Sequence, residues 1–132
     1  MIVLDTNLLV RLATNDVPKD REVVATLMEK HRVHVSKTVL LETEWVLRSR
    51  YAYSLKQFGD FLDYLLALPS VVVEDESIVR WAVAAGRAGI DFADALHLSV
   101  AAALGEPFYT FDKALHRKAG KLKDTRIQLL KS

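Results

Sequence analysis

A chain of 132 residues is close to the commonest domain size, and with 51% hydrophobic residues it can bury a core without covalent staples. The absence of cysteine excludes disulfides, thiolate metal sites and cysteine nucleophiles, and a reducing compartment suits such a chain. The net charge of +1 conceals an asymmetry: seven Lys or Arg residues against one acid lie between Lys113 and Ser132, whereas the rest carries eleven basic and sixteen acidic groups. A basic tail beside an acidic body suits a polyanionic partner, because Lys and Arg displace counterions condensed on phosphates; a solvated surface helix and loop has the same composition.

The opening Met1-Ile-Val-Leu-Asp5 has no basic n-region and no long apolar run, and no stretch approaches the ~20 apolar residues of a membrane span. The expectation is one domain over 1–132, cytoplasmic and without membrane contact. Ile2-Val3-Leu4 stops at Asp5-Thr6-Asn7, the pattern of a buried strand followed by a polar turn. Leu8 to Thr14 has helical apolar spacing, and Pro18 suits the first turn of a helix reaching about Lys30. Val33-His34-Val35 reads as a second strand. Ser36 or Thr38 caps a helix continuing to about Ser49.

Ser54-Leu-Lys-Gln57 is a capping-box pattern, followed by an apolar stripe of Leu55, Phe58, Phe61, Leu62, Leu65 and Leu66. Pro69 ends that helix. Phe58, Phe61 and Leu65 serve equally well in a core or at an interface. Val71-Val72-Val73 is extended, with its pairing left open, and Glu76 to Ala88 is helical. A further helix runs from about Asp91 to Leu104 with Gly105 as its C-terminal cap. Phe108 to Phe111 is a strand ending at Asp112, Lys113 to Gly120 a short helix, and Ile127 to Leu130 a last strand. Strands alternating with helices predict an α/β domain whose mainly parallel sheet of four or five short strands is flanked by about seven helices.

In such sheets functional groups gather beyond the carboxyl ends of the strands, where Asp5 and Asp112 both fall. Turn formation explains many strand-end aspartates, so either alone is a weak signal. Asp91-Phe-Ala-Asp-Ala-Leu-His-Leu is more telling: the helix is apolar nearly all round, the mark of burial, and Asp91 and Asp94 share a face near its start. Asp91 reads first as a cap. Asp94 reads as a functional acid, with a first-turn acid facing the positive helix end as its structural alternative. In the helix Thr38 to Arg48, Glu42 and Glu44 are rivals. Helical geometry does not decide which points inward, and the other is expected to be an ordinary exposed residue, Arg48 lying four positions after Glu44. Trp45 and Trp81 read as core.

Two carboxylates ~5 Å apart repel by roughly 3 kcal/mol at an effective dielectric near 20, so several acids in one place must either take up protons or meet a cation. No His-x-Glu or Glu-x-x-His pair argues for zinc, whereas an all-oxygen donor set suits Mg²⁺ or Mn²⁺ and phosphoryl chemistry.

Four segments in this order resemble a PIN domain, specifically a VapC-type toxin of a toxin–antitoxin pair. They are Ile2-Val-Leu-Asp-Thr-Asn-Leu-Leu, Val39-Leu-Leu-Glu-Thr-Glu-Trp-Val-Leu, Phe92-Ala-Asp-Ala-Leu-His-Leu and Tyr109-Thr-Phe-Asp-Lys. Each is short; their order and spacing together are specific, and the resemblance covers essentially the whole chain. It implies an acidic quartet of Asp5, Glu42, Asp94 and Asp112 holding one or two Mg²⁺ or Mn²⁺ ions, and so favours Glu42 over Glu44. Asn7 and Thr110 resemble the polar residues that support the site, and Asp91 is an extra acid beside it. His97 reads as a satisfied buried histidine, with substrate contact as the alternative.

The resemblance further implies an endoribonuclease that hydrolyses RNA phosphodiesters by metal-activated water. The basic segment begins beside Asp112, and its Lys113, Arg117, Lys118 and Lys121 are candidates for gripping the RNA backbone. The resemblance also implies a homodimer, a VapB-like antitoxin and a higher assembly on DNA. The competing readings are a catalytically silent PIN-fold interaction module and a phosphate-accepting α/β domain. The second fits poorly, because Asn7 stands where an Asp-x-Asp phosphatase needs its second acid, and Asp5-Thr6 lacks the paired acids of a receiver domain.

Overall fold

Three short runs of β-branched residues organise the first part of the chain. β1 (Ile2–Val3), β2 (Val33–Val35) and β3 (Val71–Val73) pair in that order, all parallel, with Ile2 opposite Val33 and Val33 opposite Val71. Valine suits a strand because its branched side chain packs well on a pleated surface. Parallel neighbours require crossovers, which here are helical. The chain leaves β1 through α1 (Thr6–Thr14) and α2 (Pro18–Lys30), and leaves β2 through α3 (Lys37–Tyr51) and α4 (Leu55–Ala67).

The computed structural model describes Met1–Ser132, which divides into two units, Met1–Glu76 and Ser77–Ser132. In the first, Val33, Val35, Leu9, Leu40, Leu47, Leu62 and Leu65 are fully buried. Pro18 occupies the first turn of α2, where its missing N–H costs nothing. Ser36, not Thr38, caps α3: its hydroxyl accepts the Val39 N–H at 3.2 Å. Ser54 and Gln57 form the reciprocal capping box at the start of α4. Phe58, Phe61 and Leu65 are buried, which settles them as core. Val71–Val73 joins the sheet, and its pairing with β2 resolves the point that periodicity left open.

The second unit holds most of α5 (Glu76–Arg87), followed by α6 (Phe92–Leu104), β4 (Phe108–Thr110), α7 (Lys113–Ala119) and β5 (Ile127–Leu129). β4 and β5 are parallel, Phe108 lying opposite Ile127. The five strands and seven helices match the expected α/β pattern, the strands pairing as a set of three and a set of two. Gly105 ends α6 at φ +68°, a left-handed conformation that glycine adopts without a Cβ penalty.

One expectation for α6 is corrected. The helix is not buried all round: Phe92, Ala95, Leu96, Leu98 and Ser99 form its buried face, while His97, Val100 and Leu104 are exposed. The Ala101-Ala-Ala103 run raises apolar content without the bulk that would need covering, so composition overstated the burial.

Candidate active site

Three of the aspartates singled out by sequence begin helices, for a common reason. The first amides of a helix lack intrahelical partners, and a carboxylate placed there accepts their hydrogen bonds and faces the positive end of the dipole. Asp5 closes the β1 segment in extended backbone and accepts the Thr6 N–H at 2.8 Å as the N-cap of α1. Asp91 caps α6, its Oδ1 accepting from Ala93 at 3.0 Å and Asp94 at 3.4 Å. Asp112 caps α7 by accepting the Leu115 N–H at 3.0 Å, and its own N–H donates to the Thr110 hydroxyl at 3.0 Å. The Thr110 hydroxyl thus holds the backbone N–H of Asp112. Asn7 lies exposed in the first turn of α1.

Asp94 differs from these three. It sits in the first turn of α6, partly buried, and burial is the largest cause holding its carboxyl above the ordinary aspartate range. The Asp91 carboxylate and then that of Asp112 push the same way, while His97 and Lys118 oppose. The second unit therefore brings Asp91, Asp94 and Asp112 into one electrostatic neighbourhood, with Lys118 beside it. His97 is exposed, which corrects its reading as a buried histidine: one turn beyond Asp94, it lies off the face that α6 buries.

In the first unit, α3 separates the rival glutamates. Leu40, Thr43, Glu44 and Leu47 form its buried face, and Glu44 is only 3% exposed. Arg48 Nε donates to Glu44 Oε1 at 2.8 Å and Nη2 to Oε2 at 3.3 Å. Glu42 lies on the opposite, exposed stripe with Thr38, Trp45 and Ser49. The glutamate paired with Arg48 is thus the buried one, where the exposed one was expected. Trp45 is a second correction: it is 53% exposed, because three residues after Glu42 it falls on the same polar stripe. Trp81 is half-buried and, with Ser77, Ile78, Ser99, Gly105 and Asp124, lines a cavity of about 400 Å³ that sequence gave no sign of. Lys113, Arg117, Lys118 and Lys121 are all exposed.

The donors available to a metal are carboxylate oxygens, the preference of hard dications, and the raised Asp94 carboxyl is a group that a cation would relieve. The Thr6 hydroxyl, next to Asp5, is buried with no hydrogen-bond partner, an unfilled polar contact at the start of α1. In neither unit do three acid or imidazole side chains form a group able to hold an ion. Mg²⁺ keeps several waters and is commonly held by only one or two carboxylates.

The PIN-domain family model matches residues 2–121, nearly the whole chain. The chain belongs to the PIN-domain family. PIN domains are in general nucleases, and the four acids singled out by sequence all lie within the matched span. No curated protein matches the chain. Among solved structures, a chain from the VapBC2 complex of Rickettsia felis bound to a promoter DNA fragment is similar at 18% identity. That match covers 99% of this PIN domain and 100% of the other chain, with a TM-score of 0.38.

Proposed function

We propose that this PIN domain is a Mg²⁺- or Mn²⁺-dependent endoribonuclease using one or two ions and the toxin of a VapBC-type pair, with Asp5, Glu42, Asp94 and Asp112 as its catalytic and metal-binding acids. The observation that carries the reading is Asp94. Its carboxyl is raised first by burial and then by the like charges of Asp91 and Asp112, in a family of nucleases, whereas Asp5, Asp91 and Asp112 each also satisfy a helix N-terminus. An acid held at an energetic disadvantage at neutral pH, without that structural return, marks a functional position.

A bound dication would supply charge neutralisation at the scissile phosphate and a more acidic water. The chain's own residues do the rest. Asp94 and Asp112 present oxygens from adjoining helix starts, and Thr110 fixes the backbone of Asp112 through its N–H. Asp91 adds negative potential beside Asp94 and so strengthens its preference for a cation over solvent. Lys118 counters the acids from α7, and with Lys113, Arg117 and Lys121 it offers exposed positive charge to a phosphate backbone. No helix is long and apolar enough to cross a membrane. A cytoplasmic setting, a homodimer and a VapB-like antitoxin, with a higher assembly on DNA, complete the proposal; they rest on the motif series Asp5-Thr-Asn, Glu42-Thr-Glu-Trp, Ala93-Asp-Ala-Leu-His and Thr110-Phe-Asp.

Purified protein incubated with total cellular RNA should cut it in Mg²⁺ or Mn²⁺, not in chelator and not as Asp94→Asn. The fragments should carry 5′-phosphate and 3′-hydroxyl ends. Ends bearing 2′,3′-cyclic phosphate would exclude hydrolysis by water, and cutting that survives chelation would exclude the metal.

A further inference from the structure

Trp45 is the feature that the core and the acid set leave unused. An indole buries a large area when it can, and Trp is highly buried on average even though it is rarely buried completely. Here it is 53% exposed in the middle of a fifteen-residue helix whose other face is packed tightly enough to leave Leu40, Thr43 and Leu47 wholly covered. The helix therefore had an apolar face available, and Trp45 is not on it. It stands instead in the stripe of Thr38, Glu42 and Ser49, one turn from Glu42, a spacing that puts Cβ atoms of helix neighbours ~5–6 Å apart. Local bonding steadies the backbone beneath it, since the Ser49 hydroxyl donates to the Trp45 carbonyl at 2.6 Å.

We infer that Trp45 is a substrate-binding residue, a platform on which an unpaired nucleobase of RNA stacks while a neighbouring phosphate lies near Glu42. The inference rests on the reading of this chain as a ribonuclease. Three features of the stripe favour a base over a protein partner. Within one helical turn of Trp45 stand the exposed Glu42, Arg48 and Ser49 with the half-buried Leu41, a mostly polar surrounding, whereas a docked helix or strand would need a broad apolar patch. A base has a broad π-face and a polar edge, so it covers the indole while leaving Thr38 and Ser49 in water or within reach of its edge. A nucleotide joins base and phosphate at about the separation of helix neighbours, so one nucleotide can meet both Trp45 and Glu42. Stacking of this kind is tolerant of sequence and requires a single-stranded target, because a base inside a duplex has no free face. The substrate class is thus RNA with an unpaired loop or end at the cut.

The test uses the full chain in a Trp81→Phe background, so that Trp45 is the remaining tryptophan, with a short single-stranded RNA oligonucleotide in chelator to prevent cutting. Binding should quench Trp45 fluorescence. Trp45→Ala should weaken affinity about ten-fold and raise KM by a similar factor with a smaller change in kcat, and Trp45→Phe should restore most of the loss. A fully paired RNA of the same sequence should bind with no quench. Unchanged affinity and KM in a folded Trp45→Ala would overturn the inference, as would a quench equally strong with duplex. If Trp45→Ala left RNA binding intact but changed the oligomeric state in solution, the ring would belong to a contact between copies and the inference would fall. Should Trp45→Ala not fold, Trp45→Phe and Trp45→Leu give the same comparison of an aromatic with an aliphatic side chain. Quenching by RNA without any metal-dependent cutting would keep the stacking role and overturn the nuclease reading instead.

Discussion

Replacing Arg48 with Met separates the two glutamates of α3 by their energetics. Glu44 is 3% exposed and takes both of its hydrogen bonds in the Arg48 fork from this one side chain. Removing one partner of a buried ion pair leaves an uncompensated charge and costs about 3–5 kcal/mol. The Arg48 side chain is 47% exposed, so water already screens part of the pair, which lowers the expected loss to about 2–3 kcal/mol. At about 4 °C per kcal/mol for a chain of this length, the melting temperature should fall by about 8–12 °C. Glu42→Gln should do the reverse: stability within about 0.5 kcal/mol of the parent, as for an exposed site, with RNA cleavage reduced roughly 100-fold or more. Circular-dichroism melts and a cleavage assay in one Mg²⁺ buffer read both quantities. An Arg48→Met protein melting within a degree of the parent would refute the buried-pair reasoning. Cleavage lost in Glu44→Gln but kept in Glu42→Gln would reverse the assignment.

Other outcomes follow from single positions. Ala52 ends α3 at φ +55°, a left-handed conformation that strains an alanine, so Ala52→Gly should stabilise by about 0.5–1 kcal/mol in a denaturant titration. The carboxyl of Asp94 is raised in the folded protein, so its proton binds more tightly there than in the unfolded chain, and its ionised form opposes folding at neutral pH. Asp94→Asn should therefore raise the melting temperature at pH 7 while cleavage is lost, and the two proteins should converge below the ordinary aspartate range; a lower melting temperature would contradict this.

The Asp16 carboxyl is lowered, first by the Tyr51 hydroxyl at 2.8 Å, and the Tyr51 hydroxyl is raised by the same bond. That contact stabilises above the unfolded aspartate value near ~3.9 and below the unfolded tyrosine value near ~10. Tyr51→Phe should thus cost most between those limits and least beyond either, read as melting temperature against pH. Neutralising Arg117, Lys118 and Lys121 together should flatten the salt dependence of RNA binding by about two to three units of slope; an unchanged slope would remove these residues from the interface.

Local rules made much of this fold legible. Pro18, Ser54 with Gln57, and Gly105 each mark a helix end through a backbone requirement that one residue type meets, and all three stand where those requirements placed them. Ile and Val runs marked the first three strands, and even the uncertain Val71–Val73 proved to be one. Faces were harder. Glu42 and Glu44 differ by 200° around one helix, and sequence cannot tell which side the rest of the fold covers. The same ignorance misplaced Trp45, whose apolar ring suggested a core that its angular position denies. His97 failed for the neighbouring reason: α6 is rich in alanine, and small apolar residues make a helix look buried on all sides when only one is.

Among the acids, capping and catalysis draw on the same chemistry at a helix start. Asp5, Asp91 and Asp112 would look alike in sequence whether or not they also met a cation. Asp94 stands apart only once the folded surroundings show burial and like charge acting together.

The most direct measurement is a Mg²⁺ and Mn²⁺ titration of the melting temperature, run on the parent and on Asp94→Asn. Acids that hold a dication in the native state alone should give the parent a saturable stabilisation of about 2.7 kcal/mol at a hundred times the dissociation constant. Asp94→Asn should start from a higher baseline and gain little. A parent whose melting temperature is indifferent to either cation, or a variant that gains as much as the parent, would contradict a metal-dependent nuclease built on these carboxylates.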